Sequence, residues 1–223
     1  QDGPQTLEWM NRNRTGEVFW EQVHLMPITI NGVPRVLAKS IDITARKEAE
    51  AQRENLVARL FHEIQLQKSL FESAKEVLEQ DNFATIARRI FDEARKMTGA
   101  QSGYVALLTD DGSENEVLFL EAGGLPCSVD PDLPMPIRGL RAEAYKTGRA
   151  AVENDFMNSA WIKFMPPGHV NLQNVVFAPL NIGDKTVGIM GLANKPTDFT
   201  ETDVRIAEAF GQLAAIALLN SRN

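Results

Sequence analysis

Asp42-Ile43-Thr44-Ala45-Arg46-Lys47-Glu48-Ala49-Glu50 opens a charged stretch that runs to Leu78, and the way it reads decides how the chain divides. Apolar residues recur along it at Ala49, Leu56, Leu60, Ile64, Leu70, Ala74 and Val77, the spacing of one helix face. As a single helix it spans about 50 Å. Before it the pattern is strand-like, and after it helical and strand-like segments alternate. A long charged helix between two modules points to transmission of a signal rather than to a spacer.

Marked as heptads, Ala49, Leu56, Glu63, Leu70 and Val77 share one position, and Arg53, Leu60, Gln67 and Ala74 another. Glu63 and Gln67 interrupt that seam, so the pattern predicts an imperfect coiled coil and a parallel homodimer. A second line, Val57, Ile64, Phe71 and Leu78, widens the stripe. Its C-terminal part is therefore expected to pack on the downstream domain, with Phe71 and Leu78 supporting that fold and Leu56 and Leu60 serving the dimer. Phe61-His62-Glu63-Ile64 has the start of a phospho-acceptor box but no Pro follows, and no second His follows at zinc-protease spacing. His62 reads as a solvated helix histidine.

Upstream, Thr6 to Asn13, Glu17 to Ile30 and Val33 to Ile43 read as strands, with turns at Arg14-Thr15-Gly16 and Asn31-Gly32. Phe19, Val23 and Leu25 alternate with Trp20 and Met26, which predicts a sheet covered in part on both faces. Three strands without a helix layer do not stand alone. Their cover must come from the connector, from a second copy or from residues outside this chain.

The run Gly16-Glu17-Val18-Phe19-Trp20-Glu21, then Pro27-Ile28, Asn31-Gly32 and the exit motif Asp42-Ile43-Thr44-x-Arg46-Lys47-x-Ala49-Glu50, resembles the last three strands of a PAS domain. The likeness covers about 45 residues, under half of that fold. The helices that wall a PAS pocket lie upstream in that family, so no ligand is implied for this part.

Downstream, Asp81 is expected to open a helix through Thr98 that Gly99 stops, with Phe83, Ile86, Ala87, Ile90, Ala94 and Met97 on one face. Ser102 to Thr109 and Glu116 to Glu121 read as paired strands around Asp110-Asp111-Gly112. A proline-rich loop from Gly123 to Pro136 holds the single cysteine, Cys127. Ile137 to Thr147 reads as a short helix, Ala150 to Glu153 as a strand, Phe156 to Phe164 as a helical or loose segment. Asn174 to Ile182 and Lys185 to Leu192 form a hairpin over Gly183-Asp184. Thr200 caps a last helix to Ser221, with Glu201 and Asp203 in its first turn. The fold class expected is α+β: antiparallel strands, a long connecting helix, then a sandwich around a central antiparallel sheet. The divisions are 1–44, 45–78 and 79–223.

Totals narrow the function classes. A net charge of -7 argues against a general nucleic-acid surface and against an anionic membrane surface. No apolar run approaches the roughly 18 residues of a spanning helix. One cysteine excludes an internal disulfide framework and suits a reducing compartment, so a cytoplasmic location is expected. Gln1 in place of Met makes a fragment of a longer protein the expectation.

Asn174-Val175-Val176-Phe177-Ala178-Pro179-Leu180, Gly188-Ile189-Met190-Gly191-Leu192-Ala193-Asn194-Lys195 and Phe199-Thr200-Glu201-Thr202-Asp203 resemble a GAF domain, whose element order the downstream module follows nearly throughout. Leu133 to Arg141, Asn154-Asp155-Phe156 and Pro167-Gly168-His169-Val170 are most similar to GAF domains of prokaryotic PAS–GAF sensor kinases. The resemblance implies a non-catalytic sensory region that binds a small molecule and drives an output domain such as a histidine kinase through its helices.

Some GAF sensors of methanogen kinases hold haem through a lone Cys with an axial His. By that likeness Cys127 and His169 are candidate haem ligands. Their alternative is a packed loop thiol and a hydrogen-bonded loop histidine. Asn194-Lys195, Phe199 and Asp203 follow the frame of cyclic-nucleotide GAF domains, but Val204 replaces its closing Glu. In that family the Lys–Asp pair holds the last helix to the sheet, so Lys195 and Asp203 are expected to be a structural, partly exposed pair. Free methionine sulfoxide reduction needs a resolving thiol that one cysteine cannot supply intramolecularly. Phe156, Trp161, Ile162, Phe164 and Met165 could line a pocket or lid a core. Arg138 and Arg141 could meet an anionic ligand or form a solvated face. The alternative class is a ligand-free dimerisation and transmission module.

Overall fold

The structure, a computed structural model, describes residues 3–79, 82–130 and 133–221, the side chains of 76–79 excepted. Asp81 and the side chains of Val77 and Leu78 thus lie outside the described residues. The architecture is α+β with two antiparallel sheets, and the chain forms two compact units, Gln1–Ile64 and Gln65–Asn223.

In the first unit β1 (Gln5–Arg12), β2 (Val18–Ile30) and β3 (Val33–Asp42) form a sheet in that order. Ile30 pairs with Val33 around Asn31 (φ 50°) and Gly32 (φ 77°), the positive φ values that a two-residue hairpin turn requires. The exit from β3 is pinned to β2: Ile43 N donates to Trp20 O at 2.9 Å, and Trp20 N donates to Thr44 Oγ1 at 2.9 Å. Asp42 Oδ1 accepts from Thr44 N at 2.9 Å, which caps the helix α1 (Thr44–Glu79). Glu8 meets Lys47 Nζ at 2.7 Å and Arg46 on the first turns. These cations, Lys47 foremost, lower its carboxyl to about 2. Val23 is buried, while Leu7, Trp9 and Val36, which share its sheet face by register, are exposed.

α1 carries Leu56, Val57, Leu60, Phe61 and Ile64 exposed. Within the second unit its later turns present Leu66, Leu70 and Ala74 to the core, and Ser69 donates to Glu93 at 3.0 Å. Phe71 corrects the expectation: it is 73% exposed and does not support the domain core. The side of α1 that packs carries Leu66, Leu70 and Ala74, with Ser69 and Ser73 buried beside them.

The second sheet runs β5 (Asn115–Glu121), β4 (Ser102–Leu108), β8 (Lys185–Ala193), β7 (Val175–Ile182), β6 (Ala151–Glu153), all neighbours antiparallel. α2 (Phe83–Thr98) and α4 (Glu201–Ser221) cover one face. Asn82, accepting from Thr85 N at 3.2 Å, caps α2, and Gly99 ends it. Ile86, Ile90 and Phe91 meet Val105, Val176, Leu180, Met190 and Leu192 from the sheet and Phe210 from α4. Alternation sends Tyr104, Ala106, Val175, Phe177 and Ile189 to the opposite face, beneath α3 (Leu140–Thr147).

α3 begins at Leu140 rather than Ile137. Ile137 N instead donates to Ser113 O at 3.1 Å, and Gly139 lies at φ 67°, outside the helix. In the Lys195–Asp203 pair Nζ to Oδ2 is 2.5 Å, with Asp203 buried and Lys195 half-buried. The same Oδ2 accepts from Thr200 N at 2.7 Å and Thr200 Oγ1 at 2.8 Å. Asp203 N in turn faces Thr200 Oγ1 at 3.3 Å, so one carboxylate caps α4 and ties it to the end of β8.

Candidate ligand pocket

The sheet face opposite α2 and α4 is not filled to the surface. It holds a cavity of about 590 Å³, within the range of small-molecule sites. Tyr104, Val175, Phe177, Gly191 and Ala193 form its floor, with the Tyr104 and Phe177 ring centroids 6.2 Å apart. Phe156, Trp161, Phe164 and Met165 wall one side, in and beside two single-turn 3-10 helices, Phe156–Asn158 and Ile162–Phe164. Leu133, Met135, Arg138 and Arg141 wall the other.

Asparagines position these loops, Asn174 and Asn194 buried and Asn154 half-buried. Asn174 Nδ2 donates to Lys195 O and Thr197 O at 3.0 and 2.8 Å. Asn194, at φ 56°, accepts from Gln173 N at 2.9 Å and donates to Asn171 O at 3.1 Å, fixing the segment that follows His169. Asn154 exchanges two hydrogen bonds with the Phe199 backbone and so sets the start of the 3-10 turns.

Cys127 and His169, 42 residues apart in sequence, both line this cavity. Their loops cross where Ser128 N donates to Gly168 O at 3.0 Å. Gly168 sits at φ 83°, and a Cβ there would meet Ser128 Oγ, so only glycine suits the crossing. Cys127 is exposed and His169 half-buried. His169 Nδ1 lies 2.8 Å from Val170 O. A carbonyl only accepts, so Nδ1 carries the hydrogen and Nε2 keeps its lone pair. Of the residues singled out from sequence for haem, an anion or the pocket, Cys127, His169, Arg138, Arg141, Phe156, Trp161, Phe164 and Met165 border this cavity, whereas Ile162 is 39% exposed and does not line it. Phe156 is buried and the other aromatics half-buried. Lys195 and Asp203 stand apart from it, joining α4 to the sheet.

Sequence reasoning singled out Arg141 but missed the polar cluster it joins at the edge of the cavity. Arg141 donates to Tyr104 Oη at 3.4 Å and Pro136 O at 3.3 Å, and Tyr145 Oη donates to Asn115 Oδ1 at 2.6 Å. Burial pushes the Tyr145 phenol well above its ordinary value, with Tyr104 adding to the rise. Among the described residues no group of three or more His, Cys, Asp or Glu could hold a metal ion. None of the described helices is long and apolar enough to cross a membrane.

Residues 80–219 match the family described as the GAF domain. The chain belongs to the GAF domain family. The methyl sulfide methyltransferase-associated sensor of Methanosarcina acetivorans is 28% identical over 197 residues, covering 85% of this chain and 19% of that protein. This chain thus spans about a fifth of that relative's length. The GAF domain of a phosphoenolpyruvate-protein phosphotransferase from Coxiella burnetii superposes with a TM-score of 0.60 at 15% identity, over 70% of this chain and 94% of that one. Free methionine-R-sulfoxide reductase from Neisseria meningitidis, with its substrate, gives 0.55 at 16%, over 70% and 90%. The fold is therefore shared with the GAF domain of a phosphotransferase and with a reductase.

Proposed function

We propose that this chain is the sensory region of a signal-transduction protein, in which the GAF pocket takes a small molecule and the helices carry the response. The observation that carries it is the 590 Å³ cavity, walled by aromatic and aliphatic side chains with a few polar groups converging on it. The sensor relative supports the same class. In this reading 1–44 is the C-terminal part of a PAS domain, 45–78 a signalling helix and 79–223 the GAF domain. The parent is cytoplasmic and homodimeric through α1 and α4, and it drives an output such as a histidine kinase. A ligand acts by binding one helix-packing state more tightly than the other. In this reading the chain binds rather than catalyses, and free methionine sulfoxide reduction lacks support because one cysteine supplies no resolving thiol intramolecularly. Thermal shifts against a metabolite panel test it. Binding raises the melting point with ligand concentration, and a panel that moves it nowhere leaves the ligand-free transmission module instead.

A second reading is favoured by Cys127 and His169 sharing the cavity. The residues fit haem: His169 Nε2 is free to ligate iron, its ring is oriented through Nδ1, and the exposed Cys127 thiol can hold the porphyrin edge. Haem would supply redox or gas-binding chemistry. After haemin reconstitution a Soret band is expected, resisting solvent extraction in wild type but not in Cys127→Ala, and displaced in His169→Ala. Absence of the band in wild type removes haem while leaving the small-molecule pocket standing. A cyclic nucleotide finds less support, since Val204 departs from that frame and Lys195 is engaged by Asp203 outside the cavity.

A further inference from the structure

The cavity is apolar over most of its wall but carries two arginines on one side, Arg138 and Arg141, in the loop before α3 and in its first turn. Arg141 is half-buried, and its hydrogen bonds go to neutral acceptors only, Tyr104 Oη and Pro136 O. A guanidinium has five N–H donors in a fork, so most of them remain for another partner. Among the described residues no carboxylate lies within 4.0 Å of either Arg138 or Arg141.

Among the described residues the acids that border the cavity are Glu121 and Asp130. Glu121 is held by Arg88 at 3.0 Å and by Gly123 N at 3.2 Å. Asp130 is exposed, and it too has a partner of its own. Behind Arg141 the cluster stays neutral, Tyr145 being given over to Asn115. Asn115 is 6% exposed, and its Nδ2 finds no acceptor among the described residues. The start of α3 borders the cavity at Gly139 and Leu140, with no side chain capping it. A half-buried cation without a counter-ion beside an apolar volume is a poor arrangement unless an anion arrives with the ligand.

We infer that the pocket recognises an amphipathic anion: an apolar, flat or branched body against Phe156, Trp161, Phe164 and Phe177, with one carboxylate or equivalent acidic group received by Arg141 and supported by Arg138. This rests on the small-molecule reading of the pocket and adds the charge of the ligand to it. The apolar wall supplies affinity and the guanidinium supplies orientation and selection against neutral analogues.

The test uses a matched pair of fluorescent probes, 8-anilinonaphthalene-1-sulfonate and N-phenyl-1-naphthylamine, which differ only in the sulfonate. Trp9→Phe and Trp20→Phe in the full chain leave Trp161, at the cavity wall, as the sole indole, so energy transfer is strongest for probe bound in this cavity. The sulfonate should bind more tightly than the neutral probe. Arg141→Gln should weaken it about tenfold, a hydrogen-bonded charge pair's worth, and leave the neutral probe within about twofold. Arg138→Gln should cost about threefold on the same pattern, and Arg141→Lys should retain part of the preference. Should Arg141→Gln fail to fold, the Arg138→Gln and Arg141→Lys proteins carry the test. Equal affinity of the two probes, or equal loss of both in the arginine variants, overturns the anion subsite while the pocket survives. No transfer from Trp161 to either probe overturns the pocket reading and the subsite with it.

Discussion

The two faces of the five-stranded sheet are built from the same strands and end in opposite states. Towards α2 and α4, Val176, Ala178 and Leu180 of β7 and Met190 and Leu192 of β8 have no exposure, and Phe210 and Phe91 interlock above them. Towards α3, the alternate residues Val175, Phe177, Ile189 and Ala193 are equally buried, yet the layer above them is made of loops and single turns around about 590 Å³ of space. A helix lays a continuous apolar stripe on a sheet, whereas a loop needs its backbone groups bonded elsewhere and leaves gaps. Asn154, Asn174 and Asn194 supply those bonds. The helix face holds the fold together, and the loop face keeps a site open.

The largest expected effect comes from the filled face. Phe210→Ala should cost about 3–5 kcal/mol in urea unfolding, the range for a buried ring. Trp161→Ala, half-buried beside existing space, should cost less than about 1.5 kcal/mol and act on ligand affinity instead. Equal midpoints for the two would erase the distinction between the faces. Asp203→Ala strips Lys195 of its buried partner and α4 of its cap, and should cost about 3 kcal/mol. Probe binding at the cavity should be unchanged in the folded protein, since that pair lies outside it.

Alkaline pH probes the loop face more gently. Tyr145 has a folded-state pKa above its unfolded value of 10.0, so its contribution is whole below pH 10 and lost as pH rises beyond it. The slope is at most about 1.4 kcal/mol per pH unit for one proton. Stability of wild type should therefore fall above pH 10, and Tyr145→Phe should flatten that fall. A variant that follows the wild-type curve would show that another group sets it.

The legibility of the two faces differs for a physical reason. Strands, hairpin turns and the two covering helices follow from local periodicity and from Asn31-Gly32, Gly99 and Thr200, each acting within a few residues. The loop asparagines carried the family resemblance because an Asn that bonds a particular carbonyl cannot be exchanged for another side chain. Cys127 and His169 were visible as loop residues, and the crossing at Ser128 and Gly168 that brings them to one cavity was not. The cluster of Tyr104, Asn115, Arg141 and Tyr145 was invisible for the same reason, since three separate elements contribute to it. The burial of Asp203 also escaped, because residue type suggests solvent and only the closure of α4 over β8 removes it.

The connecting helix gives the smallest and most discriminating prediction. Its wide apolar stripe suggested that Phe71 belonged with the domain core, but Leu66, Leu70 and Ala74 take that role and Phe71 stands 73% exposed. Leu70→Ala should cost about 1–2 kcal/mol in the melting of the GAF unit, and Phe71→Ala no more than about 0.5 kcal/mol. Phe71 is then better grouped with Leu56 and Leu60, which are 57% and 53% exposed on the same helix. An exposed aromatic on a charged helix is unfavourable in a lone chain and is expected where a second helix covers it. Charged substitutions at Leu56, Leu60 or Phe71 should shift sedimentation towards monomer at micromolar concentration while the melting point of the GAF unit holds. If Phe71→Glu lowers that melting point as much as Leu70→Ala does, the ring packs within its own domain and the helix divides its labour elsewhere.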